Sequence, residues 1–386
     1  MAATGLARVG AAMREGGDLG VSIVAGRDIA SVATAWAMLA GRSASANLFF
    51  HPEFAIPAIT HLGHGDVALA LVRSPSGGLR GLAPYMRTRL GRIAPAIRLW
   101  THKYAPFGEP LVDADDIGGT IARLIEGLAP EGSGLSLVLP EMATEGPVAD
   151  AVRAVALRSD RPLVLLGEHR RAMLARGPAD ADLRSGLTAG RRKELGRQLR
   201  RLGERGAVTF TSDVQPDCVR ARFEEFLALE QAGWKGRQET ALASSAATAE
   251  FSRQALFDLA EAGKARIDSL RIGTHPVAIL VSLVAGSAAY TWKIAHDEAY
   301  AQFSPGVQLM LQAPVHLFSD PAVRLIDSCA TADHPMIDRL WPERRSIATF
   351  VLGPPGGGTL YAIGLAAARA ELAARANVRQ LRDRLG

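Results

Sequence analysis

The chain has 386 residues, and its hydrophobic content of 48% and charged content of 22% are those of a globular protein with room for two domains. Its net charge of +5 suits small anionic ligands and is too low for a dedicated nucleic-acid-binding protein. Two cysteines, Cys218 and Cys329, are too few for a disulfide framework. The N-terminus lacks the apolar core of a signal peptide, and the longest apolar run, residues 277–290, is too short to span a bilayer. We therefore expect a cytoplasmic protein without a transmembrane segment.

The first half of the chain alternates between strand and helix patterns after a flexible lead-in at residues 1–20. Asp28 is the expected cap of the first helix, and the Pro/Gly-rich turn at 74–78 predicts a hairpin. Residues 47–54 form a short aromatic segment. Strands are predicted at 21–25, 67–73, 79–87, 97–100, 135–139 and 162–166, and helices at 28–39, 117–128 and 148–157.

The second half repeats this order of elements, because each half reads helix, hairpin, strand, loop, helix, strand, helix, strand. Its strands are predicted at 265–272, 277–284, 288–294, 323–327 and 346–352, and its helices at 222–231, 247–262, from 305 onwards and at 334–341. The pattern predicts a domain at 21–180, a basic linking helix at 181–206, a second domain at 207–355 and a C-terminal helix at 356–386.

The stretch from Tyr290 to Asp320 is a strand, a polar and aromatic loop, and an amphipathic helix that opens at Ser304-Pro305-Gly306. Proline suits a first helical turn, and glycine lets a ligand approach the backbone. Because the first amides of a helix have no partner within it and the helix dipole favours negative charge there, this turn is a candidate cradle for a pyrophosphate or carboxylate. The candidate cofactor-binding residues are Ser304, Pro305, Gly306, Val307 and Gln308.

Several segments, in this order, resemble cellulose-biosynthesis-associated (CelD-like) acetyltransferases of the GNAT fold, which are related to the Fem aminoacyltransferases. They are RRKELGRQLRRLGERG at 191–206, FLALEQAGWKGRQETAL at 226–242, YTWKIAHDEAYAQFSPG at 290–306 and the run from Asp327-Ser328-Cys329 to Trp341. The resemblance covers about residues 187–352, and Asn47-Leu48-Phe49-Phe50 fits the family's first half more loosely.

The resemblance implies an α/β (α+β) protein of two tandem GNAT-like domains, each a mixed twisted sheet flanked by helices. It implies acetyl-CoA as co-substrate and direct acyl transfer to the amine of a small molecule or sugar-related acceptor, without a metal. One feature departs from the family, since Gln302-Phe303-Ser304-Pro305-Gly306 stands where GNAT proteins carry an Arg/Gln-x-x-Gly-x-Gly/Ala run. The alternatives are an aminoacyl-tRNA-dependent transferase and a non-catalytic scaffold in a polysaccharide pathway.

Acyl transfer to an amine requires a base, donors for the oxyanion and an acid for the leaving thiolate. Asp327 or Asp297 is the candidate base or amine anchor, and His334 or Tyr300 the candidate proton donor. The alternative for both aspartates is that they cap turns and helices. Cys329 has no neighbouring histidine pattern that would make it a nucleophile.

Two Trp-Lys pairs are candidate substrate-binding residues. Trp234 and Lys235 lie at a helix end, where they form either a C-cap or a lid over the cleft. Strand alternation places Trp292 and Lys293 on opposite faces, so one of them faces the cleft. Lys293 is expected either to pair with Asp297 or Asp327 or to bind a substrate carboxylate.

The arginine-rich linking helix is expected to be a solvated face or a contact for the CoA 3′-phosphate, tRNA or an anionic lipid surface. His61 and His64 have a metal-like spacing, but no nearby third ligand accompanies them, so no metal site is predicted.

Overall fold

A computed structural model of the chain describes residues 20–63, 66–177, 183 and 186–385. Residues 1–19 of the predicted lead-in lie outside these ranges, and so does His64. Within them, no helix combines the length and apolar character needed to cross a bilayer.

The described residues of the first half form seven strands and four α-helices. In chain order they are β1 (Gly20–Ala25), α1 (Ala33–Ala40), α2 (Pro52–Leu62), β2 (Ala68–Arg73), β3 (Leu79–Leu90), β4 (Ala94–Leu99), β5 (Leu111–Val112), α3 (Ile117–Leu128), β6 (Ser136–Ala143), α4 (Pro147–Arg158) and β7 (Leu163–Ala175).

The second half repeats the plan and ends in a long helix. Its elements are α5 (Ala189–Gly203), β8 (Val208–Asp213), α6 (Pro216–Ala232), α7 (Trp234–Arg237), α8 (Ala246–Glu261), β9 (Ala265–Ile272), β10 (His275–Ala285), β11 (Ala288–His296), α9 (Pro305–Leu317), β12 (Leu325–Asp327), β13 (Glu343–Leu352) and α10 (Thr359–Leu385).

The predicted mixed α/β fold is confirmed, and the strands form one continuous twisted sheet in the order β1-β2-β3-β4-β6-β13-β7-β12-β11-β10-β9-β8. At the seam, β13 from the second half lies between β6 and β7, and β7 from the first half lies beside β12. Each half therefore lends its last strand to the other. The predicted domain limits remain a prediction, and this exchange means that neither half completes its sheet alone.

The parallel pairs within the sheet are equivalent in the two halves. β4 pairs with β6 over Ala96–Arg98, and β11 pairs with β12 over Ala288–Tyr290. The other neighbours are antiparallel. In each half the parallel pair is short, so the longer strand of the pair runs on past its neighbour.

Several local predictions are wrong. The helix predicted at 28–39 is a 3-10 helix at Gly26–Val32 followed by α1, and Asp28 lies inside the 3-10 helix, whose N-cap residue is Ala25. The aromatic segment runs into an unpredicted helix, α2, whose first three residues it contains, and β8 was also missed. The helix predicted at 334–341 is a 3-10 turn at Ile337–Arg339. These segments are short or lack a clean apolar period, so tertiary packing decides their conformation.

Candidate active site

The candidate site begins where β11 continues past the end of β12. Tyr290 is paired with Asp327, and residues 291–296 of β11 have no partner on β12. The Thr291 hydroxyl donates to the carbonyl oxygens of Asp327 and Ser328, at 3.4 and 3.1 Å, and so ties the two strands at the point where they part. Beyond this point β11 presents backbone groups to an opening in the sheet.

A β-bulge lies at the start of this opening. Thr291 pairs with Ser282 and Lys293 pairs with Val281, so Trp292 is the extra residue and has no partner on β10. Bulges leave backbone groups outside the ladder and re-aim side chains. The predicted placement of Trp292 and Lys293 on opposite faces is therefore wrong, because both contact Tyr104: the Trp292 indole N–H donates to the Tyr104 carbonyl at 2.9 Å, and Lys293 lies over the Tyr104 ring.

The first turn of α9 follows the opening, and its amide groups are uncapped. Ser304 adopts a left-handed conformation with φ of 52°, and its side chain makes no capping hydrogen bond to the helix. Pro305 has no N–H, and the amides of Gly306 and Val307 have no helical acceptor at this position. The helix dipole therefore favours an anion here.

The basic helix α5 packs against this turn through Gln308. The buried Gln308 amide donates to the Leu195 carbonyl of α5 at 2.8 Å, and Leu195 lies in the same apolar cluster as Leu309. Arg191, Arg200 and Arg201 of α5 are exposed, whereas Arg197 is held by Glu194 of the same helix. A strongly cationic surface thus lies on the helix that contacts the first turn of α9.

The equivalent opening in the first half is closed. The Gly108 amide donates to the Glu141 carbonyl at 3.0 Å, and a Cβ at residue 108 would come within 2.2 Å of the Pro140 oxygen. The first turn of α3 is also capped, because the Asp116 carboxylate accepts from the Gly119 amide at 2.9 Å. The first half therefore lacks both features that define the candidate site in the second half, the open strand edge and the uncapped first helical turn.

Asp327 is fully buried at the seam between the halves. Its Oδ2 lies 3.6 Å from both Arg171 and Arg345, which come from the exchanged strands β7 and β13. Its Oδ1 accepts from the Cys329 amide at 2.8 Å and so holds Cys329 in a left-handed conformation with φ of 54°. Burial, together with the Asp327 carboxylate, raises the pKa of the Cys329 thiol well above its ordinary value, so the thiolate is disfavoured.

Asp297 lies at the other end of β11, seven residues beyond Tyr290. At about 3.3 Å per residue, it is roughly 20 Å from Asp327, so one proton-transfer step cannot use both carboxylates. Asp297 caps the 3-10 helix that follows β11 by accepting from the Ala299 amide, and its Oδ2 lies 2.8 Å from His275. Tyr300 follows in the same 3-10 helix, and its ring lies 5.8 Å from the His275 ring, tilted by 38°.

His334 lies in the turn before the 3-10 helix at Ile337–Arg339. Its Nδ1 accepts from the Met336 and Ile337 amides at 3.3 and 3.4 Å. Burial lowers the pKa of His334 below its ordinary value, which is consistent with a neutral ring that accepts these bonds.

Lys293 is the cation nearest the bulge, and it does not pair with either aspartate as predicted. Within the described ranges no carboxylate lies within ion-pair distance of it, and its Nζ lies 4.8 Å from the centre of the Tyr104 ring. Burial, reinforced by Lys235, lowers the pKa of Lys293 to about 8. Lys235 itself donates to Glu230 at 2.8 Å and to the Ile294 carbonyl of β11 at 3.1 Å.

Trp234 starts α7 and is 47% exposed. Its backbone amide donates to Glu298, and Arg237 holds the same carboxylate with two bonds of 2.9 and 3.0 Å. These bonds attach α7 to the loop that leads into α9. The candidate residues Lys235, Trp292 and Lys293 thus lie beside the second-half opening, whereas Trp234, Asp297 and Tyr300 lie at its far end.

Sequence reasoning missed Lys103, Tyr104, Glu230, Arg171 and Arg345. Lys103 and Tyr104 lie in the loop after β4, which closes the first-half opening and crosses to β11. Their only local signal is a lysine beside an aromatic residue in a loop, and nothing in the sequence connects them to a strand almost 190 residues later.

Two cavities flank this region. The larger, of about 390 Å³, lies between α6 and the end of β11 and is lined in part by Glu225, His275 and Asp297. The smaller, of about 170 Å³, lies at the seam and is lined by residues of both halves, including Ser45, Glu109, Tyr290 and Arg345.

Residues 189–334, rather more than a third of the chain, match the family model described as an acetyltransferase (GNAT) domain. The match contains the opening, the bulge and the first turn of α9. No curated protein matches the chain.

Solved structures share the fold at low sequence identity. The C-terminal domain of a protein assigned as a lysylphosphatidylglycerol synthetase from Agrobacterium fabrum is 13% identical with a TM-score of 0.54, over 88% of this chain and 96% of that one. FemX is 11% identical with a TM-score of 0.54, over 84% and 96%. A protein of unknown function from Bacteroides thetaiotaomicron is 10% identical with a TM-score of 0.52, over 84% and 97%.

The fold and the family match define the class of this protein. It has a GNAT fold and carries a GNAT acetyltransferase domain in its second half. It is therefore an enzyme of the acyltransferase class.

Proposed function

We propose that the second half binds acetyl-CoA in the opening between β11 and β12 and transfers the acetyl group directly to an amine. The observation that carries this proposal is the uncapped first turn of α9, which follows the bulged strand after one short 3-10 helix. Its counterpart in the first half is capped and closed. The donor pyrophosphate would accept from the Gly306 and Val307 amides, and Ser304 and Gln308 would shape the turn. Exposed arginines of α5 would attract the remaining phosphate.

The bulge would supply a hydrogen-bond donor for the oxyanion, the second requirement of acyl transfer. A backbone amide at Trp292 or Lys293 that is outside the ladder can donate to the acyl oxygen as negative charge develops on it. The amine attacks the carbonyl carbon, the tetrahedral intermediate collapses, and the CoA thiolate leaves with a proton. Since the Cys329 thiol is held protonated, an acyl-enzyme on this residue is disfavoured.

Asp327 supports the site electrostatically in this proposal. It is buried between two arginines and fixes the turn at Cys329, so it would position β12 against β11. The remaining candidates, Asp297, Tyr300 and His334, would contribute through loop structure or at the acceptor's outer end.

The second candidate donor is an aminoacyl-tRNA, as the resemblance to Fem proteins suggests. The observation in its favour is the exposed cationic surface of α5. This alternative predicts tRNA binding that weakens steeply with salt and is lost when Arg191, Arg192, Arg197 and Arg200 are neutralised. We also propose that the protein acts in the cytoplasm, in a polysaccharide pathway as CelD-like proteins do, either as a catalyst or as a scaffold.

A matched pair of variants at Ser304 tests the donor site. Aspartate and asparagine have similar size and tolerate the left-handed conformation, but only aspartate adds negative charge at the helix N-terminus. Ser304→Asp is expected to weaken acetyl-CoA binding about tenfold in calorimetry, and Ser304→Asn to bind like the wild type. Equal affinities for the two variants would contradict the proposed position of the phosphates.

A further inference from the structure

Two of the five lysines of the chain lie over one buried tyrosine ring, and a third contacts the strand beside them. The Nζ atoms of Lys103 and Lys293 each lie 4.8 Å from the centre of the Tyr104 ring. Lys235 comes from α7 and donates to the carbonyl of Ile294, the residue next to Lys293, and its charge acts on Lys293. The three lysines come from the first-half loop, α7 and β11, so both halves contribute.

The positive charge of this cluster is not balanced within the described residues. Glu230 is the carboxylate that contacts it, and its two oxygens are already used by Lys235 and by the Leu242 amide. Lys293 lies against the aromatic faces of Tyr104 and Trp292, which offer weaker compensation than a carboxylate.

The cluster also contains an unsatisfied polar group. Tyr104 is 3% exposed, and its buried hydroxyl has no hydrogen-bond partner. A buried hydroxyl without a partner is costly, so native structures rarely keep one unless a ligand or water completes it. The Lys293 ammonium and the Tyr104 hydroxyl lie on adjoining side chains, and both are donors that an anionic acceptor atom would satisfy.

We propose that Lys103, Tyr104, Lys235 and Lys293 form a recognition site for an anionic group, a carboxylate or a phosphate, carried by the amine acceptor. This inference rests on the proposed acyl transfer, because it uses the position of Lys293 beside the bulge at Trp292. An acceptor held by its anion at Lys293 would place its amine near the backbone amides that receive the acyl oxygen. The acceptor class is then an amine with an acidic group close to it, such as an amino acid or an amino sugar phosphate.

The small number of lysines allows a direct test by NMR. Reductive methylation with ¹³C-formaldehyde labels the five lysines of the full-length protein, and Lys293→Arg assigns the Lys293 resonance. Sodium acetate and inorganic phosphate are titrated separately, with ionic strength held constant by sodium chloride. We expect the Lys293 resonance to shift saturably with at least one anion and its pKa to rise by more than one unit, since a bound anion favours the ammonium form.

Lys264 is the internal control, because it is already paired with Glu53 at 2.7 Å and is not part of the cluster. A Lys293 response no larger than that of Lys264 to both anions would overturn the proposal. The two titrations distinguish the anion: saturation by acetate at lower concentration indicates a carboxylate-bearing acceptor, and saturation by phosphate a phosphorylated one.

A pair of variants tests whether the site acts as a unit. In Lys293→Met the resonances of Lys103 and Lys235 should lose their saturable response to the anion, with at least a tenfold rise in its apparent Kd. The matched control, Arg92→Gln, removes an exposed cation far from the cluster and should retain it. Retention of the response in Lys293→Met would contradict the proposal. Since acetyl-CoA binding is measured separately at Ser304, a failure here leaves the donor site standing.

Discussion

Lys293 shows how burial and function act on one residue. Its folded pKa of about 8 lies below the value of about 10.4 for an exposed lysine, so the folded state disfavours the charged form. Below pH 8 the folded state bears the full free-energy cost of burying the charged Lys293 ammonium. Between about pH 8 and 10.5 the unfolded chain holds more protons, so stability rises with pH through this window.

Replacing Lys293 with methionine should therefore stabilise the free protein at neutral pH. We expect the free energy of unfolding of Lys293→Met to exceed that of the wild type by about 2–3 kcal/mol at pH 7, and the difference to vanish above about pH 10.5. Urea denaturation at the two pH values measures it. Lys264→Met, which breaks the pair with Glu53, is the control and should be destabilised at pH 7. A less stable Lys293→Met would mean that Lys293 has a compensating partner.

Asp327 is either a catalytic base or a buried carboxylate that stabilises the seam. Its two arginine neighbours and its 0% exposure favour the anchor. Removing one partner of a buried charge network leaves the others uncompensated, at a cost of about 3–5 kcal/mol. Asp327→Asn should lose about this much in urea denaturation, whereas Glu224→Gln, at an exposed ion pair with Arg253, should change little. A stable but inactive Asp327→Asn would favour the catalytic base instead.

Elements whose residues interact locally could be predicted from the sequence. The strong apolar period at Ile117–Leu128 gave the observed limits of α3, and the hairpin around Gly273–Pro276 formed where its turn residues predict. The short β8 and α2 were missed, because β8 is an edge strand of six residues and α2 contains an internal proline. Local propensity is a weak guide for such segments.

The candidate site was only partly predictable for a related reason. The turn at Ser304-Pro305-Gly306 is visible as a helix start in the sequence, and the structure keeps it. The bulge at Trp292 depends on how β10 and β11 pair, and a run of apolar residues does not reveal an extra residue. Lys103 and Tyr104 reach Lys293 through packing between the halves, a contact between distant parts of the chain that no local pattern encodes.

At the scale of the whole molecule, the duplication is asymmetric. Exchange of β7 and β13 joins the halves into one sheet, and the buried pairs of Asp327 with Arg171 and Arg345 lie at that exchange. One half has a closed opening and a capped helix, and the other an open strand edge and an uncapped helix. We infer that the first half lines one side of the acceptor site, to which it contributes Lys103 and Tyr104.

We expect the donor to bind the second half and not the first. Gly306 and Gly118 occupy the same second position of the two equivalent helices, α9 and α3. Calorimetric titration of acetyl-CoA into the wild type, Gly306→Trp and Gly118→Trp, each checked by circular dichroism, compares the two positions directly. We expect Gly306→Trp to lose at least tenfold in affinity and Gly118→Trp to bind like the wild type. Wild-type protein that does not bind acetyl-CoA at millimolar concentration, or a folded Gly306→Trp that binds as the wild type does, would contradict the claim.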